Sequence, residues 1–359
     1  MRRTLTAACA VFLLLGSLPA LAAGEAAPLP TQAFLTDHLQ PRHATFHRSA
    51  EDMREAAARF CEALQTGDLT SVHAAYHAAM DAWAALQHVT YGPISNFNRR
   101  FRIQFWPDPR NVLDRDLAGL LRDRPEDVLK EHGLTFASVA VQGFPTVERL
   151  IHGDGAAALA TGSEDAAYRC RLLVAVARNV ERIAADLTTE WQADDGWPAA
   201  FRDPAGSGMV GDAGEVASLV LTGLTTQLQA LRDQRLLPVL GPALAEAAPG
   251  KAEGGLSGRS LRGIAASLEA EAEAFDTLLL PPLTQADPKL AGLMQRAFAQ
   301  TLATARGISV PLDVAVADPD HRPAVETLAK EIRALQQLLA TRVATALGLT
   351  LGFNSLDGD

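Results

Sequence analysis

The amino-acid sequence predicts an all-α protein built from two related helical bundles. The chain of 359 residues is rich in alanine and leucine, which favour helices, and it is 48% hydrophobic but only 6% aromatic. Apolar residues recur at spacings of three and four along most of its length. No pair of alternating β-branched runs flanks an Asn-Gly turn, so no hairpin is predicted.

The chain begins with the pattern of a secretion signal, and residues 1–22 are expected to form a cleavable signal peptide. Arg2 and Arg3 precede an apolar run, and small residues follow at the expected cleavage position. No cysteine follows the run, so no lipid anchor is expected. Residues 23–33 are expected to be a disordered linker. The predicted location is therefore the periplasm.

Apolar periodicity divides the rest of the chain into helices. The predicted helices cover residues 44–65, 68–90, 133–152, 163–191, 214–235, 257–279, 288–306 and 322–347. The stretch 192–213 is rich in Asp, Gly and Pro and marks a boundary. We therefore predict a first helical half, residues 34–200, and a second, residues 201–359.

Three of these helices contain residues with a predicted role at an end or a bend. Ser163 is expected to cap the helix that follows it, because a serine oxygen can accept from the first free backbone amides. Ser257 is expected to cap another helix, with Arg259 in its first turn. Pro145 lacks a backbone donor and is expected to bend the helix over 133–152.

A short motif occurs twice, as GFPTVE at 143–148 and as GFNSLD at 352–357. Each copy has Gly-Phe, one further residue, a small hydroxyl residue, an aliphatic residue and a carboxylate. This repetition favours an internal duplication with the halves packed about a pseudo-twofold axis. Glu148 and Asp357 would then be equivalent. The structural residues of the motif are Gly143, Phe144, Pro145, Gly352 and Phe353.

Charge and cysteine content restrict the classes of partner. The formal net charge is −10, and removal of 1–22 makes it two units more negative, so nucleic acid and anionic lipid are not expected partners. No later apolar run is long enough to span a membrane. Cys61 and Cys170 remain after cleavage, and both a disulfide and two buried thiols are compatible with their apolar neighbours.

Polar residues that fit a binding site are concentrated near Glu148 and in the stretch 100–111. That stretch, RFRIQFWPDPRN, contains Arg102, Trp106 and Asp108 between prolines that stiffen the chain. An arginine held in this way could pair with Glu148 or grip a ligand carboxylate. Arg259 at a helix N-terminus opposes the helix dipole, which indicates an anionic partner.

Histidines supply candidate metal ligands. His73 and His77 are spaced to face one side of a helix, and Asp81 follows one turn later. His152 follows Glu148 by one turn, so that pair could share a ligand or a proton. The candidate metal ligands are Glu148, His73, His77 and His152.

Four motifs carry a resemblance to a known family. They are Gly92-Pro93 followed by RIQFWPDP, the GFPTVE motif, SGRSL at 257–261 and the ending LGFNSLDGD. Together they make the chain similar to imelysin-like proteins over residues 34–359. The resemblance implies an all-α envelope protein with two related bundles, a site between them and a link to iron acquisition. Some members of the family were classed as metallopeptidases.

The resemblance also bears on metal binding through one motif. The family's GxHxxE motif implies a His and a Glu as metal ligands. Gly143 and Glu148 match this motif, but Pro145 stands at the His position and has no side-chain ligand atom. The resemblance therefore implies a site that keeps the carboxylate without its histidine.

These observations predict a periplasmic binding protein of imelysin type that serves iron or metal uptake. Its site is expected between the halves and to include Glu148, Arg102, Asp108, Arg259 and Asp357. The expected ligand is a small polar or metal-containing molecule, with iron or another divalent metal as the possible cofactor and an envelope uptake protein as the possible partner. One alternative is a metallopeptidase that uses His73, His77 or His152. Another is an envelope scaffold without a ligand, which would have no cavity near Glu148.

Overall fold

A computed structural model of the chain describes residues 28–63, 68–161 and 163–352. The predicted signal peptide, Phe353 and Asp357 lie outside the described residues. Within these ranges every regular element is a helix and there is no strand, which confirms the predicted all-α class.

The helices differ widely in length, from single turns to eight turns. In the first part of the chain they are α1 (Thr31–Phe34), α2 (Gln40–Glu62), α3 (Thr70–Ala84), α4 (Arg99–Ile103), α5 (Val112–Asp123), α6 (Phe144–His152), α7 (Glu164–Gln192) and α8 (Trp197–Arg202). In the second part they are α9 (Ala213–Ala230), α10 (Leu237–Leu240), α11 (Ser260–Leu278), α12 (Leu280–Ala286), α13 (Pro288–Gly307), α14 (Leu312–Ala317), α15 (Arg322–Gln337) and α16 (Ala344–Leu347).

Three of the long helices contain a π-helical turn. The π segments Leu35–Leu39, Leu231–Leu236 and Leu338–Val343 connect α1 to α2, α9 to α10 and α15 to α16 without a break. Such insertions change which side chains face a neighbour and are frequent at functional sites. The second segment carries Asp233 and Arg235, which belong to the site described below.

Helix packing forms two groups that meet along α3 and α11. In the first group α2 packs against α7 and α3, and in the second α13 packs between α11 and α15. The two groups share a continuous hydrophobic core. A twofold relation between them, and the division at residue 200, stay predictions of the sequence.

The disulfide question, which the sequence leaves open, is answered by the packing of α2 on α7. Cys61 near the end of α2 is bonded to Cys170 in α7, with the two Cα atoms 5.5 Å apart. The bond therefore links the two helices with the most extensive contact in the first group.

Several helix ends agree with the sequence and others differ. Ser163 Oγ accepts from the backbone amide of Ala166 at 3.1 Å, so the predicted cap of α7 is confirmed. The predicted helix over 133–152 is wrong, because its first part consists of short 3-10 turns and α6 begins only at Phe144. Pro145 lies in the first turn of α6, where a missing backbone donor costs nothing, so it starts a helix instead of bending one.

The last three residues of the predicted linker 23–33 are helical. Residues 31–33 belong to α1, and Thr31 is only 5% exposed. Its hydroxyl donates to the carbonyl of Phe201 at 2.7 Å, which ties the start of α1 to α8. Among the helices of the described ranges, none combines the length and apolar character needed to cross a membrane.

Buried histidines in the core give a first testable prediction, on pH dependence. Burial lowers the pKa of His43 to about 4 and the pKa of His88 to about 3, below the value of 6.5 in the unfolded chain. The unfolded chain therefore takes up protons first as the pH falls below 6.5. The stability that neutral histidines contribute above pH 6.5 is lost towards pH 4. Burial also raises the pKa of Glu271. This group therefore makes the folded state more stable as the pH falls towards 4.5, which opposes the effect of the histidines.

Urea unfolding at pH 7 and pH 5 should separate these opposing groups. In the His43→Gln variant the loss of unfolding free energy on acidification should be smaller than in the wild type by about 2 kcal/mol. In Glu271→Gln the loss should be larger than in the wild type, because the opposing group is gone. Equal losses in all three proteins would contradict the burial of neutral histidines and a protonated glutamate.

Candidate functional site

A cavity of about 950 Å³ lies between the two groups of helices. Its walls come from α3, α5, α6 and the 104–111 stretch on one side, and from the π turn 231–236 and the loop 249–256 on the other. Glu148, Asp108, Trp106, Phe144 and Pro145 all line it.

Glu148 is held in this wall at one of its two carboxylate oxygens. It is 6% exposed. Its Oε1 accepts from the backbone amide of Ser257 at 3.0 Å and from the hydroxyl of Ser257 at 2.6 Å. The nearest cation to Oε2 is Arg149, whose Nη1 lies 3.9 Å away. Arg149 itself donates to Asp114 at 2.7 Å.

Gly143 allows α6 to begin directly against the backbone of α4. A Cβ atom at this position would lie 2.0 Å from the carbonyl oxygen of Ile103 and 2.6 Å from that of Arg102. Only a glycine permits this approach, because the two carbonyl groups belong to the backbone of α4 and cannot move aside as a flexible side chain could. The glycine therefore fixes the place from which α6 presents Glu148.

The loop that carries Ser257 is anchored by an ion pair next to the cavity. Glu253 accepts from Arg235 Nε at 2.7 Å, and both side chains are 12% exposed. Glu253 also accepts from the side-chain amide of Gln104. These contacts join the π turn of the second group to the 104–111 stretch of the first.

Tyr76 of α3 completes the surroundings of Glu148. Its side chain is 1% exposed and its hydroxyl interacts with Ser257. Burial, and next the charge of Glu148, raise the pKa of Tyr76 above its usual value. Its hydroxyl therefore stays a hydrogen-bond donor over the physiological pH range.

The cavity is strongly acidic. Two basic side chains line it, Arg149 and Lys251. Seven carboxylate side chains line it, namely Asp108, Asp114, Glu148, Asp154, Asp233, Glu253 and Asp313. A cleft with one excess sign of charge concentrates ions of the opposite sign.

Arg102 lies away from this cavity. Its Nε donates to Gln142 at 2.7 Å, and its Nη2 donates to Asn179 in α7 at 3.4 Å. Burial, followed by the charge of Arg182, lowers the pKa of Arg102. The structure therefore places Arg102 in the packing of α4 on α7, where it does not pair with Glu148.

Asp108 lines the cavity and also caps α5. Its two carboxylate oxygens accept from the backbone amides of Val112 at 2.9 Å and Leu113 at 2.8 Å. Trp106 is half-buried and lines the same side of the cavity. The peptide bond between Trp106 and Pro107 is cis.

Arg259 is buried outside the cavity and has the anionic partner that its position requires. Its Nη2 donates to Asp81 at 2.6 Å, and Arg262 binds the same carboxylate. The prediction that Ser257 caps this helix is wrong, because α11 begins at Ser260 and Arg259 occupies the cap position. Ser257 instead binds Glu148.

The three candidate histidines, two in α3 and one in α6, lie close together. The rings of His73 and His152 stack with centroids 4.2 Å apart, and His77 lies 5.8 Å from His152. His73 Nε2 bonds to the carbonyl of Ile151 at 3.0 Å. Burial, and next His73 and His77, lower the pKa of His152 to about 4.

The donor set does not fit a metal ion held directly by the protein. Across the described ranges, no three side chains of His, Cys, Asp or Glu are placed to share a metal. Asp81, which could have joined the histidines, is occupied by Arg259 and Arg262. Of the repeated motif at the C-terminus, Gly352 bonds to Thr222 at 3.1 Å, and Asp357 lies outside the described residues.

Sequence reasoning did not identify Ser257, Tyr76 or Glu253 as site residues. Ser257 was expected to cap a helix, and Tyr76 lies at the apolar spacing of the predicted helix 68–90. Glu253 lies in a loop without any motif. Only the long-range packing brings them to Glu148 and to the cavity.

Comparisons with known proteins agree with this fold. An imelysin-like protein from Psychrobacter arcticum 273-4 superposes with a TM-score of 0.74 at 20% identity, covering 90% of this chain and 97% of its own. A protein described as an iron-regulated protein A precursor, from Parabacteroides distasonis ATCC 8503, gives 0.71 at 14% identity, covering 88% and 96%. Among curated proteins no significant match is found. The family model described as Peptidase_M75: Imelysin matches residues 39–339, and the chain therefore belongs to the imelysin family.

Proposed function

We propose that this protein is a non-enzymatic binding protein of the periplasm that serves iron or metal uptake. The observation that carries the proposal is the cavity of about 950 Å³ with the buried carboxylate of Glu148 in its wall. Its volume is in the range typical of small-molecule sites. The scaffold alternative expects no cavity near Glu148, so the cavity weighs against it.

Two further observations support the location and the biological role. The disulfide between Cys61 and Cys170 is of a kind that persists in oxidising compartments such as the periplasm. The structural neighbour from Parabacteroides distasonis is described as iron-regulated. The acidic cavity favours Glu148 and Asp108 as ligand contacts, while Arg259 binds Asp81 and so holds the start of α11 against α3.

Growth under iron limitation tests this proposal. A strain that lacks the gene should regain growth with the wild-type protein but not with Glu148→Ala, which removes the buried charge and its link to Ser257. Glu51→Ala is the matched control, because Glu51 is exposed on α2 and does not line the cavity. Equal growth with both variants, at equal protein levels, would disprove a role of this cavity in uptake.

A metallopeptidase remains the second candidate, because the family model carries a peptidase description. This candidate requires that ligands outside the described residues complete a site with Glu148 or the histidines. Metal analysis of protein isolated from the periplasm, combined with a proteolysis assay, distinguishes the two. Stoichiometric zinc and chelator-sensitive cleavage would favour the peptidase.

A further inference from the structure

The buried carboxylate of Glu148 has one oxygen without a hydrogen-bond partner. Ser257 binds Oε1 twice. No described residue donates a hydrogen bond to Oε2, although the residue is only 6% exposed. Oε2 is not fully enclosed by protein atoms and keeps access to the cavity. The geometry therefore leaves Oε2 available to a donor in the cavity.

The protein neutralises only part of the cavity's negative charge, because Asp233 and Glu253 are paired with Arg232 and Arg235. Arg149, the cation nearest to Glu148, is already paired with Asp114. Lys251 is exposed and has no ion pair within the described ranges. Asp154 and Asp313 line the cavity and also lack ion-pair partners there. A ligand with positive charge would offset this excess of carboxylates.

The size and the wall chemistry indicate what kind of cation fits. A volume of about 950 Å³ is far larger than a single metal ion needs. Two half-buried aromatic side chains, Phe105 and Trp106, line the cavity, while Tyr76 and Phe144 are buried behind its surface. The faces of aromatic rings attract cations.

Direct coordination of a metal is disfavoured by the existing contacts of the carboxylates. Both oxygens of Asp108 accept backbone amides, and Glu253 is held by Arg235 and Gln104. No three-donor set exists within the described part of the chain. Recognition through hydrogen bonds to a cation's own donors does not need such a set.

We infer that the cavity binds a multiply charged cation that presents its own N–H or O–H donors to Glu148. The inference rests on the proposed function of the cavity as the ligand site. Two sources share this chemistry, an organic polyamine and a metal ion that keeps an amine or water shell. In both cases the donor lies against Oε2, and Phe105 and Trp106 contact the rest of the cation.

Isothermal titration calorimetry of the mature protein with four probes tests the inference. Spermidine represents the organic cation and hexaamminecobalt(III) the metal complex, while ferric citrate and free Zn²⁺ represent an anionic chelate and a bare ion. We expect binding of spermidine, of hexaamminecobalt(III) or of both, and weaker binding at higher salt. Which of the two binds identifies the source of the cation.

Matched variants connect that binding to Glu148. Glu148→Gln keeps an oxygen for Ser257 but removes the charge, and it should weaken cation binding about tenfold to a hundredfold. Glu51→Gln removes the same charge on α2 and should leave the affinity unchanged. Asp313→Asn, which breaks no ion pair, should weaken binding by a smaller factor and covers the case that Glu148→Gln misfolds.

The possible failures can be told apart. Binding of ferric citrate or Zn²⁺ alone, dependent on Glu148, would overturn the cationic class and leave the proposed function standing. Cation binding that is equal in wild type, Glu148→Gln and Asp313→Asn would overturn the assignment to this cavity. If no probe binds, the inference fails, and the growth assay then decides the proposed function separately.

Discussion

Replacing Cys61 and Cys170 with alanine should lower the free energy of unfolding by about 4–5 kcal/mol. The two cysteines are separated by 109 residues, and a bond across so long a loop removes much conformational freedom from the unfolded chain. The bond also joins α2 and α7, whose contact is the most extensive in the first group of helices. Urea denaturation followed by circular dichroism measures the difference.

Reducing the disulfide of the wild-type protein separates the effect of the bond from the effect of the side-chain atoms that the alanine substitutions remove. Adding a reductant should move the wild-type midpoint to that of the double variant and should not affect the variant. An unchanged wild-type midpoint under reducing conditions, with both thiols free by chemical labelling, would contradict the bond. A full effect of reduction would also support an oxidising compartment for the native protein.

Changing Gly143 to alanine should destabilise the protein by about 3 kcal/mol. The added Cβ would lie 2.0 Å from the carbonyl oxygen of Ile103, so α6 or α4 must move. Because α6 carries Glu148, the same movement should weaken the contact with Ser257 and reduce ligand affinity. The variant is therefore expected to lose both stability and binding.

Gly307→Ala provides the comparison for this substitution. Gly307 ends α13, and a Cβ there would meet no atom within 4 Å. The control variant should match the wild type or be slightly more stable, because alanine has less freedom to lose on folding. Equal stability of the two variants would show that the close approach at Gly143 is not required.

Most of the helical structure could be predicted because its signal is local. The apolar stripe of the predicted helix 163–191 returned every three or four residues, and α7 indeed spans Glu164–Gln192 with Ser163 as its cap. The prediction over 133–152 failed where apolar residues at helical spacing lay in short 3-10 turns. Phe136, whose spacing would place it on the buried face of such a helix, is 90% exposed. Spacing alone cannot tell a continuous helix from such a series of turns.

The candidate site was predicted in part. Glu148, Asp108 and Trp106 were singled out and all line the cavity, because motif and loop composition are visible in the sequence. Arg102 and Arg259 were expected there on their charge, yet each has a nearer partner elsewhere. Charge alone does not reveal which partner a side chain reaches.

The sequence was sufficient for the helical class and for the family resemblance, and it singled out Glu148 as a candidate, since these depend on local periodicity and on short motifs. The tertiary structure was needed for the cavity, for the disulfide and for the pairing of Glu148 with Ser257, which are 109 residues apart. Such contacts depend on how helices distant in the chain pack together. No local pattern specifies that packing, and the acidic character of the cavity becomes visible only when its two walls are assembled.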